Sequence, residues 1–159
     1  MTPINWSLYP VIGVDTAPII YTFEEHSDYT PVMRELLQHV ARRKSVMVTS
    51  IITFSELLVK PFKDNNQQLV ELYEEFLFQT PGIAVKALSK KIAKKAAQYR
   101  ADYNLKTPDA IQLATAVQHG CKLFLTNDHQ LKRVTDIRVI TLTDLMTPDT
   151  DASKNPQTD

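Results

Sequence analysis

A second cysteine is missing from this chain of 159 residues, and so is any net charge. A lone Cys121 excludes an internal disulfide framework and fits a reducing compartment. It reads as a small buried apolar residue at a strand start, because no matched base for a nucleophile lies near it in sequence. Lys plus Arg number 18 and Asp plus Glu number 18, so bulk charge does not announce a nucleic-acid binder. A polyanionic partner would have to be held by local patches. Residues 1–10 have no cationic segment followed by an apolar one, so no signal peptide is expected there. No apolar stretch is long enough to span a bilayer, and a cytoplasmic protein is expected. The histidines His26, His39, His119 and His129 form no ligand pair at helical or turn spacing. His129 adjoins Asp128 but reads as an exposed loop residue. There is no internal repeat and no interdomain linker.

What is present alternates between strand and helix signals. Short, mostly apolar runs at Val11–Val14, Val46–Thr49, Ile83–Lys86, Leu123–Thr126 and Val139–Thr141 predict strands of a parallel sheet covered on both faces. Apolar residues at helical spacing predict helices over Thr30–Arg43, Asn65–Phe78, Ser89–Tyr103 and Thr107–His119. The last has Pro108 in its first turn and stops before Gly120. This alternation implies an α/β domain with right-handed crossovers. The size allows one domain with a real core, placed over residues 1–146. Residues 147–159 are polar and are expected to form a disordered tail.

Four acids stand beside apolar runs: Asp15 in VIGVDT (11–16), Glu56 in ITFSELL (52–58), Asp109 in TPDAI (107–111) and Asp128 in LFLTND (123–128). Asp15 and Asp128 follow predicted strands, where functional groups collect in folds of this kind. Glu56 and Asp109 lie on predicted helices. Singly, each has a structural explanation. Asp15 could cap a helix starting near Pro18, Asp109 could favour a helix dipole, and Asp128 could make an Asx turn. Glu56 fits less well, because its neighbours Ile52, Phe54, Leu57, Leu58 and Val59 suggest a helix apolar nearly all round.

Gathered together, carboxylates about 4 Å apart would repel by roughly 4 kcal/mol per pair at an effective dielectric of about 20. A cation would relieve this; without one, some carboxylates would hold a proton. Oxygen-only ligation without Cys or His suits Mg²⁺ or Mn²⁺ and argues against zinc. Such a site serves phosphate chemistry.

Four segments resemble the PIN-domain nucleases, and among them the VapC-type toxins of toxin–antitoxin pairs: GVDTAPIIY (13–21), TFSEL (53–57), TPDAIQLATA (107–116) and LTNDHQL (125–131). The last two are the most specific, and order and spacing agree over roughly residues 11–145. The resemblance implies a three-layer α/β/α sandwich with a central parallel sheet, and Mg²⁺- or Mn²⁺-dependent cleavage of RNA. It places Asp15, Glu56, Asp109 and Asp128 in the metal-binding, catalytic pocket, with Thr126 as the hydroxyl residue beside it. It also implies an antitoxin partner and a homodimer. One departure is Ala17-Pro18, where many members carry a polar residue, often Asn or Ser, two places after the first Asp.

The densest basic run is Lys86, Lys90, Lys91, Lys94, Lys95 and Arg100, with Arg42-Arg43-Lys44 a second cluster. Lys90, Lys91, Lys94 and Lys95 are read as an RNA-binding rim; a solvated helix face is the alternative. The leading function is a metal-dependent endoribonuclease. Its alternative is a PIN-fold RNA-binding or scaffold protein without turnover. A receiver domain would need an Asp ending the third strand, and IAVKA (83–87) has none. A haloacid-dehalogenase-type phosphatase would need an Asp where Ala17 stands.

Overall fold

The computed structural model describes residues 4–146. A short 3₁₀ turn, Trp6–Leu8, leads into β1 (Val11–Val14), α1 (Thr16–Phe23), α2 (Thr30–Ala41), β2 (Val46–Ser50), α3 (Ile51–Lys63) and α4 (Gln67–Gln79). Then come β3 (Ile83–Lys86), α5 (Lys90–Tyr103), α6 (Thr107–Gln118), β4 (Leu123–Thr126), a 3₁₀ turn at His129–Arg133, β5 (Arg138–Thr141) and α7 (Leu142–Met146). The five strands pair in the order β3-β2-β1-β4-β5, all parallel. With helices on both faces this is a three-layer α/β/α sandwich, as the alternating pattern implied.

The chain builds outward from β1 through β2 to β3, then returns to place β4 on the other side of β1. The order therefore reverses between β1 and β4, and a crevice opens beyond their carboxyl ends. Asp15 follows β1, and Asn127 and Asp128 follow β4, so two of the four acids stand at that crevice.

Side-chain alternation assigns each strand face. Ile12, Val14, Leu123 and Leu125 pack into one core with α1, α2, Leu57 of α3, and Tyr73 and Leu77 of α4. Phe124 turns the other way, into a second core with Ile92, Ala96 and Tyr99 of α5 and Ala110, Leu113 and Ala114 of α6. Gly13 explains how α6 comes so near the sheet. A Cβ at that position would lie 2.7 Å from Ala116 Cβ and 2.8 Å from Phe124 Cδ2, closer than atoms can approach.

Local chemistry sets the element ends. Ser50 ends β2 and caps α3, accepting from Ile52 N at 3.0 Å. Ser89 caps α5 through Ile92 N at 3.2 Å. Asn104 ends α5 in the left-handed region (φ 54°), which asparagine tolerates better than most residues. Three differences from the sequence reading follow from such details. The second helix stops at Ala41, two residues short of the expected end, and Arg43 sits at φ 57°. α3 is not buried all round, since Ser55, Val59 and Lys60 are exposed. α7 was not foreseen, because five residues are too few to show a helical period. The expected disordered tail, 147–159, lies outside the described residues.

Candidate metal centre

Asp15 occupies the single position between β1 and α1. Its Oδ1 accepts from Thr16 N at 2.8 Å, the N-cap bond of α1. Its Oδ2 accepts from the Thr126 hydroxyl at 2.6 Å, at the end of β4. The cap of α1 and the link to β4 thus fall on one residue, one oxygen each. Asp15 is only 8% exposed. Burial pushes its carboxyl up to about 6, against the pull of the Thr126 and Thr16 hydrogen bonds; the charges of Asp109 and Glu56 push the same way as burial.

Glu56 is half-buried on α3 and does not lack partners, although none is a cation. The Thr16 hydroxyl donates to its Oε2, and Gln112 Nε2 stands 3.4 Å from the same oxygen. Gln112, on α6, is 2% exposed. Its Nε2 also donates to Thr53 Oγ1 at 2.6 Å and Thr16 Oγ1 at 3.1 Å. Thr53 shares a 2.8 Å hydrogen bond with Thr49, whose hydroxyl reaches Val14 O at 2.9 Å. A polar thread thus runs from the end of β1 to Glu56. It supplies polar contacts although Ala17-Pro18 brings none. Gln112 Oε1 is buried without a hydrogen-bond partner among the described residues.

Asp109 lies in the first turn of α6, half-buried. Burial raises its carboxyl, helped by the charges of Asp128 and Glu56 and opposed by Lys106. Asp128 follows β4, and its Oδ1 accepts from Gln130 N at 2.8 Å while its own N–H bonds Thr126 Oγ1 at 3.1 Å. Asp109 and Asp128 line one cleft of 460 Å³.

The four acids therefore stand at the β1/β4 crevice and in part within reach of each other's charge. Among the described residues no three His, Cys, Asp or Glu side chains are already clustered as metal ligands. Like charges keep apart, and Asp15 and Glu56 turn to hydroxyl, amide and backbone N–H donors instead. The donor set, all carboxylate oxygen with no Cys or His, fits a hard divalent cation in type and charge.

The lysines read as an RNA rim sit elsewhere. Lys90, Lys91 and Lys94 are exposed on α5. Lys91, Lys94 and Lys95 line a 290 Å³ groove with Gln118, at the far end of α6 from Asp109. Lys95 pairs with Asp136 and lies 4.7 Å from the centre of the Tyr99 ring. Cys121 is buried, which pushes its thiol up to about 12, as suits an inert core residue.

The family model for the PIN domain matches residues 12–137. The chain belongs to the PIN domain family. Solved structures with this PIN fold include VapBC2 from Rickettsia felis bound to a DNA fragment from their promoter, with a TM-score of 0.67 at 17% identity over 82% of this chain and 98% of that one. DNA-bound VapBC from Salmonella typhimurium gives 0.66 at 21% identity, over 83% and 97% of the two chains. A toxin–antitoxin complex from Klebsiella pneumoniae gives 0.60 at 23% identity, over 83% and 97%. No curated protein matches the chain significantly. Within this PIN domain, residues that sequence reasoning passed over are Thr16, Thr53 and Gln112 around Glu56, and Lys106 beside Asp109. The Gln112 signal was a polar residue between Ile111 and Leu113 on a helix that turned out to be buried there.

Proposed function

We propose that this PIN domain is an endoribonuclease that uses Mg²⁺ or Mn²⁺, and that it acts as the toxin of a toxin–antitoxin pair. The observation that carries the reading is the placement of four acids, after β1, on α3, at the start of α6 and after β4, around the crevice where strand order reverses and in part within reach of each other's charge. Asp15, Glu56, Asp109 and Asp128 would hold the cation. When bound, it supplies positive charge against the phosphoryl oxygens and makes a water more acidic. The chain's own residues do the rest. A carboxylate orients a water and takes its proton as the water oxygen bonds to phosphorus. The P–O ester bond breaks, and the leaving oxygen takes a proton from solvent. Thr126 keeps Asp15 oriented, and the Thr16–Gln112 pair keeps Glu56 oriented.

The partner reading draws on the VapBC complexes named above and on exposed apolar side chains of the α3–α4 pair. Val59, Phe62, Leu72 and Phe78 are each 45% exposed or more, a surface suited to a small protein partner. The homodimer and a cytoplasmic location belong to the same proposal; among the described residues no helix is long and apolar enough to cross a membrane.

The test is incubation of the pure chain with single-stranded and structured RNA in Mg²⁺, in Mn²⁺ and in excess EDTA. Cleavage is expected with either metal and none with chelator. Undiminished cutting in EDTA would refute the metal mechanism. Binding of RNA without cutting under every condition would favour a scaffold. Co-purification with the product of the neighbouring reading frame tests the partner.

A further inference from the structure

We propose that the cleft between the end of α5 and the start of α6 seats a phosphate of the RNA strand adjacent to the one that is cut, with Arg100 and Lys106 as its cationic ligands. The inference rests on the endoribonuclease reading and adds where the strand leaves the carboxylates.

The cleft has a volume of 460 Å³, within the usual range for ligand sites. Asp109 and Asp128 form part of its lining, and Arg100, Asn104, Lys106 and Gln130 form another part. Asn104 turns the chain in its left-handed conformation, its N–H bonded to Arg100 O at 3.0 Å. That tight turn brings Arg100 and Lys106, six residues apart, to one mouth. Both are exposed, and neither joins a salt bridge among the described residues. By contrast, Lys60, Lys95 and Lys132 each have a carboxylate partner. Lys106 is near enough to Asp109 to oppose the rise of its carboxyl. A site with carboxylates on one side and unpaired cations on the other suits a polyphosphodiester, one phosphate at the carboxylates and its neighbour at the cations. Arg100 can hold two phosphate oxygens at once.

Lys91, Lys94 and Lys95 of α5 are not equivalent candidates. Gln118 beside their groove is nine residues past Asp109, roughly 14 Å along the α6 axis. Arg100 is also turned by roughly 120° or more around α5 from Lys91, Lys94 and Lys95. A short strand reaching the carboxylates therefore meets Arg100 and Lys106 and not the lysine groove.

The test compares a double variant, Arg100→Gln with Lys106→Gln, and a quadruple one, Lys90, Lys91, Lys94 and Lys95 each to Gln. Cleavage of a short single-stranded RNA is followed with Mg²⁺ over a salt series. The double variant should raise KM about tenfold and flatten the slope of log(1/KM) against log salt by about 0.7, for the one phosphate seated. Its kcat should change less than about threefold, since the carboxylates are untouched. The exchange Arg100→Lys with Lys106→Arg should recover most of the loss in KM. The quadruple variant should cut the short RNA as wild type does. If wild type cuts and the double variant shows unchanged KM and slope, the phosphate seat is refuted while the nuclease reading stands. If the KM loss follows the quadruple variant instead, the strand runs along α5 and the seat is likewise refuted. If wild type neither binds nor cuts any RNA, the nuclease reading falls and the seat with it.

Discussion

The Thr126 hydroxyl donates to Asp15 Oδ2 across 2.6 Å and so joins the carboxyl ends of β4 and β1. The same oxygen of Thr126 accepts from Asp128 N at 3.1 Å, so one hydroxyl serves two of the four acids. Thr126→Val keeps the shape and removes both bonds. It should lower stability by about 1–3 kcal/mol at pH 7, because a buried carboxylate loses a donor. Urea unfolding of this variant and of Thr126→Ser checks it; serine should retain most of the stability.

Asp15 gives a pH signature. Its folded carboxyl titrates near 6, above the ordinary 3.8, so the folded chain holds the proton more tightly than the unfolded one. Asp15 therefore contributes stability below about pH 4 that is lost as pH rises through about 6. The full difference is about 3 kcal/mol, at 1.36 kcal/mol for each pH unit of displacement. Asp15→Asn should be more stable than wild type at pH 7.5 without divalent metal, with the gap shrinking toward pH 4. Paired unfolding curves over that range are the check. A gap that does not vary with pH would show that burial does not set this group.

Gln112 holds Glu56 through its amide and through Thr16. Gln112→Leu keeps much of the volume but withdraws the donor. Affinity for Mn²⁺ should fall by about 10- to 100-fold, the usual effect of losing a residue that orients a ligand. Calorimetric Mn²⁺ titration of wild type and variant measures this without reference to RNA.

Gly13→Ala should destabilise by about 1–3 kcal/mol through overpacking against Ala116 and Phe124. Adding Ala116→Gly relieves one of the two contacts. It should recover part of the loss, less about 1 kcal/mol for glycine inside a helix. Thermal melts of the three variants decide whether contact across that gap is the cause.

Strand positions were legible in the sequence because fully buried parallel strands are short apolar runs. Leu123–Thr126 is the clearest case, with all four residues buried. The acids were legible because each interrupts or ends such a run. The surroundings of Glu56 were not. Its partners Thr16 and Gln112 lie 40 and 56 residues away, and nothing local marks a contact made only by folding. The place of the basic run on α5 was not legible for a related reason. Charge density along a helix is visible in sequence, but which end of the helix faces the carboxylates depends on how α5 and α6 pack. Arg100 counted as one member of a run, and its position around α5, with the turn at Asn104 that brings Lys106 beside it, sets it apart from Lys91, Lys94 and Lys95.

The junctions around the crevice differ in stiffness. No residue separates β2 from α3, and one residue separates β1 from α1, so Glu56 and Asp15 ride on a nearly continuous frame. Asp109 rides on α6, whose last turn is wedged against Gly13. Asp128 alone stands in a two-residue connection leading to a 3₁₀ turn. Accommodation to cations of different radius, about 2.0–2.1 Å bonds for Mg²⁺ against 2.3–2.6 Å for Ca²⁺, would therefore fall on one corner of the proposed site. If the four acids hold a cation as proposed, three sides would act as a fixed jaw and the Asp128 side as the movable one, with discrimination by size set by how far that single connection can give.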